Sequence, residues 1–564
     1  MKRRRFFQTA AAAGLAGGLS SASLQARRPQ AYASAEGGAA RKPRILFYHD
    51  GRHPLIYMYE PPMRKEQFEA AVDELLGTPV EALMFTMGDG RTVLHDTRVG
   101  ELWGDHLRNS KWPHLIFRRA YQNAKGLIRA GQDPLRVVCD RARSRGMLIY
   151  PVLLVQQGTG KRGEDTRASE FRLNHRHLEI GAGGGVDSAF PGFHGLDFKH
   201  EAVRRERFAL IEETLQRYPV DGFELQLNYM PYYFRPDEIE PGRRIMTEWI
   251  RRVYRAVKRS GQGRELVLRV PASLEQCESV GMDVREWLRQ GIVDVLIPQG
   301  PGRFDPMLDL GPMVAAARGS ACRVHGYLPS TVDSDRLLES TLPITRAAAC
   351  NLWDQGVDGL YVAQWFNNWP YRSSFYERLR ELPHPDVMAP RDKHYFMQTT
   401  TGRYPDRRGR QLPAELEVDR PVSLEFRISD ELPRWARTGR VHQVLLRIRL
   451  SHTTELDRIV FRLNGKPLPD SRLRKINEMF KLKIPRFFQF GYWYVYKLDA
   501  DHWPVRGLNR LEVELKQRDP EITPQIAVSN LEVEIKYLLG KNMRRDSETD
   551  LGERESLNDR HGKA

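Results

Sequence analysis

Cysteine is scarce: Cys139, Cys277, Cys322 and Cys350 stand far apart in 564 residues. They form no C-x-x-C pair and no zinc-site spacing, and each falls in or beside an apolar stretch, so buried free thiols are expected rather than a disulfide framework or a metal centre. No uninterrupted apolar run approaches the roughly 20 residues of a membrane span, and no integral span is expected. Nucleotide and hydrolase signatures are missing too: the chain has no Walker loop, no G-x-S-x-G elbow and no H-E-x-x-H. Its one glycine cluster, Gly181 to Gly185, does not lie between a strand and a helix and reads as a loop. His175, His177, His194 and His200 lack ligand spacing, so neither metal nor cofactor is expected.

What is present is globular: 41% hydrophobic, 10% aromatic and 28% charged residues exclude disorder as the main state. At roughly 150 residues per domain the length allows three or four units. The N-terminus, Lys2-Arg3-Arg4-Arg5-Phe6-Phe7 followed by an Ala- and Gly-rich stretch, resembles a twin-arginine export leader spanning residues 1–35, with small-x-small sites at Ala31–Ala33 and Ala33–Ala35. A periplasmic or extracellular destination follows as an expectation. The formal net charge of +16 is unevenly spread. Residues 1–35 carry six basic and no acidic residues and residues 36–390 are nearly neutral, so beyond the leader-like segment most of the excess lies in residues 391–539, including Arg403, Arg407, Arg408, Arg410, Arg472, Arg474 and Lys475. With no nucleic-acid motif, that module is expected to dock on an anionic polysaccharide or the envelope surface, and no nucleic-acid partner is expected.

From residue 44 to 382 apolar strands alternate with amphipathic helices. Strands are expected at 44–49, 80–87, 147–155, 222–227, 265–270, 293–298, 322–327 and 359–365; helices at 65–76, 134–145, 200–218, 243–260, 284–290, 306–317, 344–355 and 371–382. Eight such repeats are what an α/β fold of the (β/α)8 (TIM) barrel type requires, within a domain of residues 36–390. A doubly wound sheet shares the rhythm but usually carries a phosphate loop. Glycines at 146, 291 and 356 stand where helices end and buried strands begin.

After Pro383, Pro385 and Pro390 the period changes to that of short alternating strands, at 414–418, 422–428, 443–450, 458–463, 492–498, 507–515 and 530–537. Asn464-Gly465 reads as a hairpin turn. An all-β sandwich of jelly-roll or immunoglobulin-like kind is expected over 391–539. The polar tail 540–564 reads as disordered.

Barrel enzymes place chemistry at the carboxyl ends of the strands. On the fourth, Glu224, Gln226 and Asn228 share one face, while Phe223, Leu225 and Leu227 face the helices. Glu224 is the first candidate. Arg269, between apolar residues on the fifth strand, needs an anionic partner, and Glu224 is the natural one, an arrangement that would hold Glu224 ionised. Aromatic and amide residues at strand ends suit a sugar cleft, because pyranose C–H faces pack on rings while hydroxyls meet polar groups. Tyr229, Gln299, His325, Tyr327, Trp365 and Asn367 are the candidates; about half of such aromatics are equally expected to plug the loops.

Several stretches together resemble the secreted glycoside-hydrolase-like (β/α)8 proteins of the glycosyl-hydrolase family 10-like group: Gly88-Asp89-Gly90, Asp96 to Gly104, Gly131 to Leu135, Leu196-Asp197-Phe198, Val220-Asp221-Gly222-Phe223-Glu224, Arg269-Val270-Pro271 and Gly281 to Val284. The resemblance covers most of the barrel and implies a carbohydrate substrate. It also shows departures. Relatives commonly read D-G-I-E-L-D-F-x-R on the fourth strand, where the second acid is here Gln226; a chitinase-type D-G-x-D-x-D-x-E row would likewise lose its last two acids to Gln226 and Asn228. One carboxylate, Glu224, is left. Hydrolysis needs a second, and Asp50 after the first strand and Asp89 after the second are the candidates, each equally readable as a loop-capping Asp beside glycine. The expected function is glycoside hydrolysis. The alternatives are an inactive barrel that binds glycan or an envelope partner, and an assembly scaffold.

Overall fold

Strands that are apolar on both faces need cover on both sides, and here they obtain it by closing on one another. The computed structural model describes residues 42–108, 111–156, 158–300, 305–332, 337, 340–363, 369–399, 411–477, 491–540, 542–543 and 545. The barrel strands are β1 (Ile45–His49), β2 (Ala82–Asp89), β3 (Leu148–Leu154), β4 (Gly222–Gln226), β5 (Glu265–Pro271), β6 (Val295–Gln299), β7 (Arg323–Pro329) and β8 (Gly359–Ala363). Successive strands pair in parallel around the ring, and β1 pairs with both β8 and β2, which closes the barrel. Each coincides with an expected strand to within two residues at most ends. The expected export leader, residues 1–35, lies outside the described residues.

Helices cover the outer surface at Lys65–Asp73, Pro134–Ser144, Glu201–Arg217, Ile239–Ser260, Val284–Gln290, Gly311–Ala317, Leu342–Asp354 and Ser373–Glu381. Leu83, Phe85, Phe223, Leu225, Leu268 and Val362 point outward into the layer beneath them and are buried. Each such side chain contributes about 1.5–3 kcal/mol on leaving water. Gly291 (φ 62°) and Gly356 (φ 84°) end helices in the left-handed region, the conformation that glycine adopts without a Cβ penalty. One helix begins later than expected, at Gly311: the Asp305 carboxylate takes the Met307 main-chain N–H at 2.9 Å in a turn instead of capping a helix. Helix Leu115–Arg129 was not anticipated, because it belongs to an excursion between β2 and β3 outside the strand–helix rhythm.

The second module is antiparallel. Its strands are β9 (Lys393–Phe396), β10 (Ala414–Glu415), β11 (Val422–Ile428), β12 (Val441–Ser451), β13 (Arg458–Leu463), β14 (Lys466–Pro467), β15 (Leu473–Asn477), β16 (Gly491–Lys497), β17 (Gly507–Gln517) and β18 (Ala527–Tyr537). One sheet runs β9-β18-β12-β16-β15, with β10 also on β18, and the other runs β11-β17-β13-β14. Their inner faces share one core, in which Phe461 meets Tyr494 and Tyr496 with ring centroids 5.2 and 5.7 Å apart. Asn464 (φ 51°) and Gly465 (φ 81°) make the expected hairpin turn between β13 and β14. β9 and β15 were not anticipated, since neither Lys-His-Tyr-Phe nor Leu-Arg-Lys-Ile-Asn alternates cleanly.

Helix Leu342–Asp354 joins the modules. Its Ala347 enters the sandwich core, and Asn351 Nδ2 donates to Arg427 O and Pro306 O at 3.0 and 2.9 Å. Nearby, Asp430 accepts from Lys393 Nζ (2.8 Å), Tyr395 Oη (2.5 Å) and Tyr537 Oη (2.5 Å), all in the interior. Removing the acid strands a buried ammonium. Asp430→Ala is therefore expected to cost about 3–5 kcal/mol in urea denaturation, and adding Lys393→Met to Asp430→Asn should recover part of the loss that either single change causes.

Candidate active site

Strand alternation puts Leu46, Tyr48, Met84, Tyr150, Val152, Val267, Ile297, Tyr327 and Tyr361 inside the barrel, so its centre is packed, not hollow. Glu224 has the same inward parity on β4. It is fully buried, as are Arg269 and Tyr361. Arg269 Nε and Nη2 donate to Glu224 Oε1 at 2.7 and 2.5 Å, and Tyr361 Oη donates to Oε2 at 2.8 Å. Arg269 Nη2 also contacts Tyr361 Oη. The guanidinium lies 4.6 Å from the ring centroids of both Tyr48 and Tyr361. β4 and β8 stand opposite each other in the ring of eight, so Glu224 and Tyr361 meet across the barrel axis.

The expected Glu224–Arg269 pair is present, but the balance on the carboxyl is not the expected one. Burial pushes Glu224 up from the ordinary range; Arg269 and Tyr361 pull it back without cancelling that rise. With both oxygens engaged in the packed interior, Glu224 is a strut across the barrel.

The strand ends carry a different constellation. Asp50 follows β1 and Asp89 closes β2, and Arg52 joins them. Arg52 Nε and Nη2 donate to Asp50 Oδ1 and Oδ2, each at 2.7 Å, while its Nη1 donates to both Asp89 oxygens at 2.9 Å. Asp50 also accepts the Arg52 main-chain N–H at 3.1 Å. Gly51 allows the turn to lie on β2, since a Cβ there would sit 2.5 Å from Thr86 O. Arg167, held by Asp165 at 2.9 Å, adds positive potential at Asp89.

The unequal sharing of Arg52 separates the two acids. Burial drives Asp50 upward, but the facing guanidinium and the extra main-chain donor overcome it and hold the carboxyl at about 2. Burial of Asp89 prevails over its Arg52 and Arg167 contacts, and its pKa is raised. The two neighbouring carboxyls are thus pushed in opposite directions, a separation of the kind that sets an acid apart from a base.

Around this pair the remaining candidates divide. Gln226, at the end of β4, is in register with Arg269 and buried, with Oε1 unpartnered; Gln299 ends β6 with its own Oε1 unpartnered. Asn228 is buried just beyond β4, and Tyr229 beside it is half-buried. Tyr327 is interior and stacks on Tyr361 with centroids 6.1 Å apart. His325 does not reach the mouth as anticipated. It is in register with Gly359, the first residue of β8, and lies in the amino-terminal half of the barrel. The strand runs on to Pro329, two residues past the expected end at 327, which leaves His325 deep in the barrel, where desolvation, aided by Arg323, lowers the imidazole to about 3. Trp365 and Asn367 lie outside the described residues. Arg52 and Tyr361 were missed, although the short spacing from Asp50 and the inward parity of β8 were signals for them.

No family model matches the chain, and no curated protein does. Among solved structures the chain is similar to α-L-fucosidase isoenzyme 2 from Paenibacillus thiaminolyticus, at 11% identity over 62% of this chain, with a TM-score of 0.41. It spans 50% of that fucosidase. It is also similar to the glycoside hydrolase domain of PgaB (BpsB) from Bordetella bronchiseptica, at 12% identity over 60% of this chain and 98% of that one, with a TM-score of 0.40. A chitinase from Chromobacterium violaceum aligns at 10% identity over 61% of this chain and 99% of its own, with a TM-score of 0.35. The barrel is established by this chain's own strand pairing, independently of these loose likenesses.

The geometry makes two stability predictions. Glu224→Ala strands the buried Arg269 cation and is expected to cost about 3–5 kcal/mol, with Tyr361→Phe costing less, about 1–3 kcal/mol, in denaturant titrations. His325 titrates near 6.5 when unfolded and at about 3 when folded, so the unfolded state binds the extra proton between those values. Stability is thus lost as pH falls from 6.5 toward 3, and His325→Asn should flatten that slope by up to about 1.4 kcal/mol per pH unit.

Proposed function

We propose that this protein is a carbohydrate-active barrel that hydrolyses glycosidic bonds with Asp89 as the proton donor and Asp50 as the ionised carboxylate. The observation that carries the reading is the pair itself: two strand-end carboxyls sharing Arg52 with their pKa values displaced in opposite directions. Asp89 protonates the leaving oxygen as a sugar oxygen replaces Arg52 at one of its own oxygens. Asp50, held ionised, activates water or attacks the anomeric carbon. Gln226 and Gln299 offer unpartnered amide oxygens to sugar hydroxyls. Glu224 acts indirectly, by fixing Arg269 and the barrel floor.

The arginine-rich leader supports work in the periplasm or outside the cell. The positive excess of residues 391–539 supports an anionic polysaccharide as the surface on which the sandwich docks. The family 10-like resemblance supports the same substrate class through the Asp89 and Glu224 stretches.

A panel of polysaccharides assayed for reducing-end release tests the reading. Asp89→Asn should lower kcat by about 10²–10⁴ and abolish the alkaline limb of the pH profile, because the limb is the loss of the Asp89 proton. Asp50→Asn should lower kcat as strongly while leaving binding in place. Binding without release by the wild type would instead identify a lectin-like barrel. Wild-type kcat retained by Asp89→Asn would rule out the assignment of the acid.

A further inference from the structure

A cleft of about 290 Å³ lies between the barrel and the sandwich, away from the strand ends. Its barrel wall is the end of helix Leu342–Asp354, with Trp353 and Asp354; its sandwich wall includes Glu431, Arg434, Trp435 and Arg506. The base is chemically closed, because Asp430 there is occupied by Lys393 and two tyrosines. The rim is different. Arg506 Nη2 and Nε reach Asp354 Oδ1 at 2.5 and 2.9 Å, and Arg434 stands 3.9 Å from Glu431. Yet the side chains of Arg506, Arg434 and Glu431 remain 55%, 61% and 47% exposed.

These groups are held in place. Arg434 and Arg440 lie over the Trp435 ring at 4.9 and 5.1 Å from its centroid, and the Trp353 indole N–H is fixed on Leu382 O at 2.8 Å. Two indoles and two carboxylate–guanidinium pairs therefore face one small space from both modules. The pairs cancel in charge, and Asp386 adds an exposed acid at the rim, so the cleft does not favour an anion. A hydroxyl group both donates and accepts, and an array of hydroxyls matches carboxylates interleaved with guanidinium groups. Guanidinium groups already lie over both indoles, Arg44 over Trp353 at 4.9 Å and Arg434 and Arg440 over Trp435, so the indoles offer apolar wall at their edges only, and the volume is near the lower bound for small-molecule sites, about 300 Å³.

We infer that this cleft is a second glycan site that binds a neutral mono- or disaccharide unit between the two modules. It does not depend on the barrel-mouth reading: an inert barrel leaves it intact, and a working barrel does not require it. Because the walls come from separate modules, an occupied cleft also ties them together.

Calorimetry and tryptophan fluorescence on the full chain test this with glucose, galactose, N-acetylglucosamine, maltose, cellobiose, lactose and N,N′-diacetylchitobiose, with glucuronate as the charged comparison. At least one neutral sugar should bind saturably. Glu431→Gln and Arg434→Gln, both at exposed positions, should each weaken it tenfold or more with the melting temperature unchanged, whereas Asp89→Asn should leave it within twofold. The inference is overturned if none of the neutral sugars binds, if glucuronate alone binds, if both rim variants bind as the wild type does, or if Asp89→Asn abolishes binding.

Discussion

Closing eight parallel strands creates an interior that side chains must fill, and every polar atom placed there must find its partner inside. This chain meets the constraint in part, with a transverse ion pair that leaves Arg269 Nη1 without a partner. Glu224 and Arg269 come from adjacent strands, and Tyr361 comes from the strand opposite. Tyr48 and Tyr361 flank the guanidinium, whose charge they receive through their ring faces. The strut spans the axis, and so it couples strands that the hydrogen-bonded ladder connects only through three neighbours. Its cost is the desolvation of both ions, which apolar residues of similar shape would avoid. What it provides is a fixed floor for the layer above.

That layer explains why the proposed chemistry lies outward of Glu224, at the rim. A carboxyl whose oxygens are both committed across the barrel cannot also meet a substrate without dismantling its own support. The oxygens of Asp50 and Asp89 are also engaged, but by a single arginine at the strand ends instead of by groups spanning the barrel. Their shared partner, Arg52, is partly exposed, and it serves them unequally, with three donors for one acid and a single nitrogen for the other. Desolvation acts on both, so the difference in donors decides the direction in which each moves. A second arginine near Asp89 does not reverse the outcome.

The strands and most helices were legible in the sequence because burial on both faces leaves unbroken apolar runs, and glycine marks the turn from helix to strand. Glu224, Gln226 and Asn228 could be placed on one face by parity alone, and the pairing with Arg269 followed from the need to neutralise a buried cation. Two things were hidden. One was depth: His325 has the same inward parity as Tyr327, but only the register with Gly359 shows that it belongs to the lower half. The other was partnership across the barrel. Tyr361 lies 137 residues from Glu224, and no local pattern announces a hydroxyl that crosses the axis. Arg52 was closer at hand, but its bridging role depends on β1 and β2 being neighbours.

The junction between the modules follows from the same rule of satisfying buried polar groups, applied at a surface instead of an axis. Helix Leu342–Asp354 has to serve two cores, one under β7 and β8 and one inside the sandwich, and Ala347 is small enough to let the second approach. Asn351 then spends its amide on carbonyls from both sides. Lys393 opens the sandwich with a charge that would be untenable in an interior without Asp430, and the two tyrosines complete the carboxylate's coordination. Because these groups are saturated beneath the cleft, a ligand entering it would meet only the two indoles and the rim pairs. The position of the modules is thus set by buried contacts that need no ligand, and recognition is left to side chains that solvent already reaches.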